Sequence, residues 1–119
     1  LEKIICDEND LRELDLRESP KLTLLTCASN NLIELNLSLN PELTQLECHL
    51  NQLVRLDLGK LKEIIDLRCA NNSLTHLDLS NLNRLDNLVC HNNNFDKLNL
   101  HPELSLIPEW FDKHVKIIK

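Results

Sequence analysis

The chain of 119 residues has no methionine and no tyrosine, and only one glycine (Gly59), one tryptophan and two phenylalanines. A globular α/β domain ordinarily spends more glycine on turns and more aromatics on its core, so this composition argues against one. No run of 18 or more apolar residues occurs, which leaves no segment able to cross a membrane as a helix. A basic excess is missing too. The formal net charge of −6 disfavours binding to a phosphate backbone, and nucleic acid is not expected as a partner. There is no Gly-rich phosphate loop, no His-Glu-x-x-His, no Cys-x-x-Cys, and no nucleophile with a base at useful spacing. The chain therefore reads as a non-enzyme without cofactor, metal or catalytic residues. It begins at Leu1 with no initiator methionine and no signal peptide, so no targeting signal is legible.

What is present is leucine, isoleucine and asparagine in a fixed order. Written in lines of 21 residues, the sequence repeats L-x-x-L-x-C-x-x-N-x-L-x-x-L-D/N-L followed by a five-residue corner, five times over. The first position holds Leu1, Leu22, Leu43, Ile64 and Leu85, and the fourth Ile4, Leu25, Leu46, Leu67 and Leu88. Cysteine recurs at Cys6, Cys27, Cys48, Cys69 and Cys90, and asparagine at Asn9, Asn30, Asn51, Asn72 and Asn93. Three later columns are apolar throughout, beginning at Leu11, Leu14 and Leu16. A fixed period in this range is the signature of a solenoid.

The spacing dictates the coil. In L-x-C and L-x-L the apolar residues alternate, so each half of the repeat opens on a short strand with one buried face. Stacked coils set equivalent strands about 4.8 Å apart in parallel ladders. A lone coil cannot bury its leucines, because neighbours must cover both of its sides. The return path of about ten residues fits an extended segment or a 3₁₀ turn and is too short for an α-helix with connections. Pro20, Asn40 and Pro41 suit tight corners.

The segment L-x-x-L-x-C-x-x-N-x-L resembles the conserved part of leucine-rich repeats. The full line, with its second L-x-x-L-D-L half, resembles the short bacterial 21-residue class called IRREKO, over about 85% of the chain by period. The resemblance implies a leucine-rich-repeat solenoid wound as a right-handed superhelix. A parallel β ladder is expected on the concave side, with short extended or 3₁₀ segments on the convex side and little α-helix. It also implies a bacterial protein-interaction module whose partner is another protein. Two alternatives stand beside it: a structural spacer in a larger protein, or the substrate-selecting part of an effector enzyme whose catalytic domain lies elsewhere.

The ladders have structural readings. All five cysteines occupy one inward column, where small thiols pack as hydrophobes. In-register parallel Cβ vectors suit a disulfide poorly, and a column cannot converge on zinc. The asparagines are expected to satisfy the backbone groups of a sharp turn. Asp15, Asn36, Asp57, Asp78 and Asn99 form an outward column that invites a calcium reading, but the Gly-rich turns of calcium-binding repeats are lacking. Local hydrogen bonding is the expectation for it. His49 and His91 share a column with Ala70 between them, about 9.6 Å apart by strand spacing, too far to share one metal ion. Asn36-Leu37-Ser38 and Asn71-Asn72-Ser73 match glycosylation sequons and are read as chance.

Inward columns barely vary between lines, whereas the third, fifth, seventh and eighth positions vary freely and are expected to face outward. Within them Gln45, Glu47, His49, Arg68 and His91 are the expected centre of a partner site, with Leu24, Leu50 and Val89 as exposed apolar neighbours. The division expected is five repeats over 1–103, then a degenerate repeat and C-terminal cap over 104–119. Leading into that cap, Leu100 to Leu104 matches Leu37 to Leu43 with two residues missing; then Ile107 replaces a strand leucine, Pro108 can open a short helix, and Glu109 replaces cysteine. Trp110, Phe111, Val115, Ile117 and Ile118 would cover the open core. At the other end Leu1, Ile4 and Cys6 already form a full coil. This implies a longer natural protein, or self-association through the open N-terminal end.

Overall fold

The computed structural model describes residues 2–104 and 112–119. The strands are β1 (Lys3–Ile5), β2 (Leu24–Thr26), β3 (Gln45–Glu47), β4 (Asp66–Arg68), β5 (Asp78–Leu79), β6 (Asn87–Val89), β7 (Lys97–Leu100) and β8 (Lys116–Ile118). Five of them form one parallel sheet in the order β1-β2-β3-β4-β6, with Lys3 opposite Leu24, Leu24 opposite Gln45, Gln45 opposite Asp66, and Asp66 opposite Asn87. Each step is one period of 21. A slip of one residue would turn Leu25, Leu46, Leu67 and Leu88 outward, so burial pins the register.

A single apolar core runs through the stack. It includes the expected columns and one more, formed by Ser19, Asn40, Leu61 and Leu82, all buried. Their place in the corner follows from the hydrogen bonds of the return. In each of the first four coils two β-turns follow one another. The Asn40 N–H donates to the Leu37 carbonyl at 3.1 Å, and the Leu43 N–H donates to the Asn40 carbonyl at 3.3 Å. The shared residue sits at the apex and points inward. Asn40 is thus a core residue as well as a corner residue. It is 0% exposed, and its amide donates to the Leu16 and Ser19 carbonyls of the preceding coil at 3.0 and 2.9 Å. Its Oδ1 has no partner among the described residues, a buried polar atom left unsatisfied.

The return side is extended and turned, with no α- or 3₁₀-helix among the described residues. Its strands pair only toward the C-terminal end, where β5, β7 and β8 form a second parallel sheet. There the period changes: Leu98 lies opposite Ile117, 19 residues on. In the slipped coil the Leu104 N–H donates to His101, the bond of the second turn, while the first turn is missing. Side chains then complete the last coil. The Asp112 carboxylate accepts from the Asn92 N–H at 2.9 Å, and the His114 ring reaches the Phe95 carbonyl at 3.1 Å. In earlier coils the backbone of the next coil fills both roles. Val115 is buried, Ile117 is half-buried and Ile118 is exposed. Leu1, Ile107, Pro108, Glu109, Trp110 and Phe111, to which roles were assigned from sequence, lie outside the described residues.

One backbone feature recurs with the period. Glu8, Ser29, Leu50, Asn71 and Asn92 all have positive φ, between 54° and 57°. None is glycine. The left-handed residue reverses the chain after each strand, so the eighth position is a corner and not part of the strand face. Asparagine tolerates this conformation, whereas leucine meets a steric cost of about 1–2 kcal/mol. Leu50 is also 50% exposed, so little packing offsets that strain. Leu50→Asn is expected to raise stability by about 0.5–1 kcal/mol. Urea unfolding followed by circular dichroism would show it as a later midpoint at constant m-value.

Candidate partner-binding face and the ladders beneath it

The left-handed corner turns two carbonyls of each coil toward one asparagine. The Asn51 Nδ2 donates to its own coil's Cys48 and His49 carbonyls at 3.1 and 3.3 Å, and to the Cys27 carbonyl of the preceding coil at 3.0 Å. Its Oδ1 accepts the Leu32 N–H at 3.0 Å. Asn30, Asn72 and Asn93 repeat the pattern. Asn9 reaches only the Cys6 and Asp7 carbonyls of its own coil and is exposed. An amide needs both a donor and an acceptor to make this bridge, which accounts for the residue type.

Cys27, Cys48, Cys69 and Cys90 are buried, Cys6 is half-buried, and all five are free thiols. Burial pushes the Cys27 and Cys90 thiols up to about 12, with smaller contributions from nearby Cys6 and Asp7 for the former and Asp112 for the latter. Cys48 and Cys69 are held well above their usual range for the same reason. A thiol that stays protonated is a poor nucleophile and a poor metal ligand. Among the described residues no group of three or more His, Cys, Asp or Glu side chains is placed to hold a metal ion.

The outward Asp/Asn column caps the return turns. Asp15, Asn36, Asp57 and Asp78 each accept the N–H of the residue two further on, at 2.9–3.1 Å. Asp15 is lowered to about 2, chiefly by its bond to the Arg17 side chain, and Asp78 is lowered by the Ser80 hydroxyl and N–H.

On the strand face Gln45, Glu47 and Arg68 come together. The Arg68 Nε lies 3.7 Å from the Glu47 carboxylate and 3.3 Å from that of Asp66. The Gln45 amide donates to Glu47 at 3.5 Å, and the Asn87 amide donates to Asp66 at 3.1 Å. Asp66 and Asn87 did not stand out in sequence, although both share the third-position column with Gln45. The two histidines stand one step aside. His49 and His91 are half-buried at the seventh position, where Ala28 and Ala70 are buried, so that position faces outward only in part. The cause is the corner that follows, which draws the seventh residue against its neighbours. The His49 Nδ1 is buried without a hydrogen-bond partner among the described residues. Thr26 is buried, and Leu24 and Val89 are half-buried rather than exposed. Leu50 is exposed, but at the corner.

No protein-family model matches the chain, and no curated protein matches it either. Among solved structures it is similar to the functional domain of InlJ from Listeria monocytogenes, which includes a cysteine ladder. That similarity has 20% identity and a TM-score of 0.46, and covers 99% of this chain. The chain spans 44% of the length of that one. The fold is a leucine-rich-repeat solenoid. Its parallel strands, its repeated corners and the absence of any helix among the described residues are the features that define it here. Among the described residues there is no helix long and apolar enough to cross a membrane.

Two measurements test the ladders. Asn51→Ala leaves the Leu32 N–H without its acceptor, while the Cys27, Cys48 and His49 carbonyls keep the Asn30, Asn72 and Ser29 donors, so it should cost about 1–3 kcal/mol in urea unfolding. Asn9→Ala, at an exposed rung, should cost under about 1 kcal/mol. For the thiols, the unfolded chain releases protons near pH 9 while the native chain retains them to about pH 12. The stability this represents is complete below pH 9 and is lost as pH rises toward 12, by up to about 1.4 kcal/mol per pH unit per thiol. No tyrosine is present to obscure the effect. Unfolding midpoints between pH 8 and 11 should fall, and Cys27→Ala should flatten the decline.

Proposed function

We propose that this solenoid is a protein-binding module that engages its partner through the strand face, centred on Gln45, Glu47 and Arg68 with His49 and His91 at its border. The observation that carries the reading is the hydrogen-bonded network linking Gln45, Glu47, Arg68, Asp66 and Asn87 across three strands of the ladder. Part-exposed ion pairs of this kind contribute about 0–1 kcal/mol to stability, so the fold has little need of it. It does hold polar side chains in one geometry on a rigid sheet, which lowers the entropy cost of recognition. On the outward strand positions Glu47 and Asp66 are balanced by Lys3 and Arg68, so a partner contact surface of mixed charge is favoured.

The same proposal places the coils in the short 21-residue bacterial class. Support comes from the strand register of 21 and from the second half-repeat, whose Asp or Asn caps its own turn in four successive coils.

Affinity capture with the wild-type chain, followed by titration of the captured protein, tests the face. Glu47→Lys with Arg68→Glu should weaken binding by tenfold or more, a change of about 1.4 kcal/mol. Glu42→Lys with Lys62→Glu, on exposed return positions, should leave it unchanged. Equal losses from both pairs would refute the strand-face assignment.

A further inference from the structure

The return side carries a feature that the strand-face reading does not use. Between the second and third coils lies a cleft of about 390 Å³. Leu35, Leu37 and Leu61, almost wholly buried, lie beneath it, and Glu34, Arg55, Asp57 and Lys60 line it with charge of both signs. Its walls are the segments 34–37 and 55–58, which share no main-chain hydrogen bond among the described residues. Further along the stack the equivalent segments close into the sheet β5-β7-β8. The coils are therefore unjoined where the cleft lies.

The four charges are not engaged with one another. Arg17 is paired with Asp15, Arg84 with Glu63, and Arg68 with Asp66 and Glu47. None of Glu34, Arg55, Asp57 or Lys60 is in an ion pair among the described residues.

Gly59 explains why Asp57 differs from its column. In the first, second and fourth coils the residue two positions on supplies a side chain to the capping oxygen: Arg17 bonds to Asp15, Ser38 to Asn36, and Ser80 to Asp78. The third coil has the chain's one glycine there, and Asp57 accepts only its N–H, at 2.9 Å. Backbone strain does not require that glycine, because its φ is not positive. A Cβ built on it would approach Asp57 Oδ1 at 3.2 Å and meet nothing else. The missing side chain leaves the second oxygen of the Asp57 carboxylate without a hydrogen-bond partner among the described residues, beside the cleft. Next to Glu34 and Arg55 in sequence, Ile33 and Val54 are exposed and joined by the bond from the Val54 N–H to the Ile33 carbonyl at 3.1 Å, giving the rim an apolar edge.

We infer that this cleft binds a short linear peptide segment bearing one cationic and one anionic side chain around an apolar residue. Glu34 and Asp57 receive the cation, Arg55 and Lys60 receive the anion, and the exposed Ile33 and Val54 of the rim receive the apolar side chain. Pockets of this size with a few convergent polar groups suit ligands of that scale. The two signs demand a ligand with both, since a peptide of one charge would be repelled by half of the lining. This site is separate from the strand face, and either can fail without the other.

Titration of ¹⁵N-labelled protein with acetyl-Lys-Leu-Asp-amide at low ionic strength is the test. Saturable amide shifts are expected in 34–38 and 55–61. Acetyl-Lys-Leu-Lys-amide and acetyl-Asp-Leu-Asp-amide should bind at least about tenfold more weakly. Glu34→Gln with Arg55→Gln should weaken the mixed peptide by a similar factor, and Gly59→Ala should weaken it with the fold intact by its amide spectrum. Glu42→Gln with Lys62→Gln should have no effect. Absence of saturable shifts in those segments, equal binding of the like-charge peptides, or unchanged affinity in the Glu34/Arg55 variant would overturn the inference.

Discussion

Two asparagines converge on each interior cysteine carbonyl: the Cys27 oxygen accepts from Asn30 in its own coil and from Asn51 in the next. Through that shared oxygen the corner of one coil is tied to the corner of its neighbour. A coil of this length cannot bury its own leucines, so it has no stability apart from the stack. The asparagine bridge is what keeps the polar backbone of the corner satisfied while the leucines above and below close over it. The rest of the molecule follows from this coupling. It sets the 21-residue period, the register of the five-stranded sheet and the inward direction of the cysteines.

The coupling also makes the ends of the stack different from its middle. Asn9 bonds with its amide only within its own coil among the described residues, and it is exposed. At the other end the Asp112 carboxylate and the His114 ring take the Asn92 N–H and the Phe95 carbonyl, groups that a further coil would otherwise satisfy. The same accounting separates the two sides of each coil. Close pairing runs along the first strand of every repeat, whereas on the return side of the first four coils each turn is capped by its own Asp or Asn. The cleft between the second and third coils lies where the return segments are without main-chain pairing. The side chains available for recognition are those that neither ladder nor cap has engaged.

Much of the architecture was legible because the repeat displays its own constraints. The residues that recur unchanged, from Leu22 and Leu25 to Cys27 and Asn30, are buried, and their spacing alone indicates alternating strands and tight corners. Asn71 and Asn92 signalled a left-handed corner, but Glu8 and Leu50 in the same column hid it. The column of Ser19, Asn40, Leu61 and Leu82 was missed because it mixes polar and apolar residues in a stretch that reads as a turn. Only the pair of successive β-turns shows that its side chains point inward. On the strand face, Gln45, Glu47 and Arg68 were legible as variable outward residues. Asp66 and Asn87 were equally legible as outward residues, but only the register showed their side chains bonded into the same network.

The sequence by itself determined the period, the parallel stacking and the assignment of cysteine and asparagine to repeated inward and corner roles. These follow from local alternation and from the need of every coil for neighbours, and both are readable along one line of residues. The tertiary structure alone decided which charges are paired across coils, which corner residues are buried, and where adjacent coils separate. Glu47 with Arg68, Asn40 against the Leu16 carbonyl, and Glu34 with Arg55 beside one cleft each join residues 21 or more positions apart or set them facing each other. Such distances depend on how far one coil stands from the next, and no single coil's sequence contains that separation.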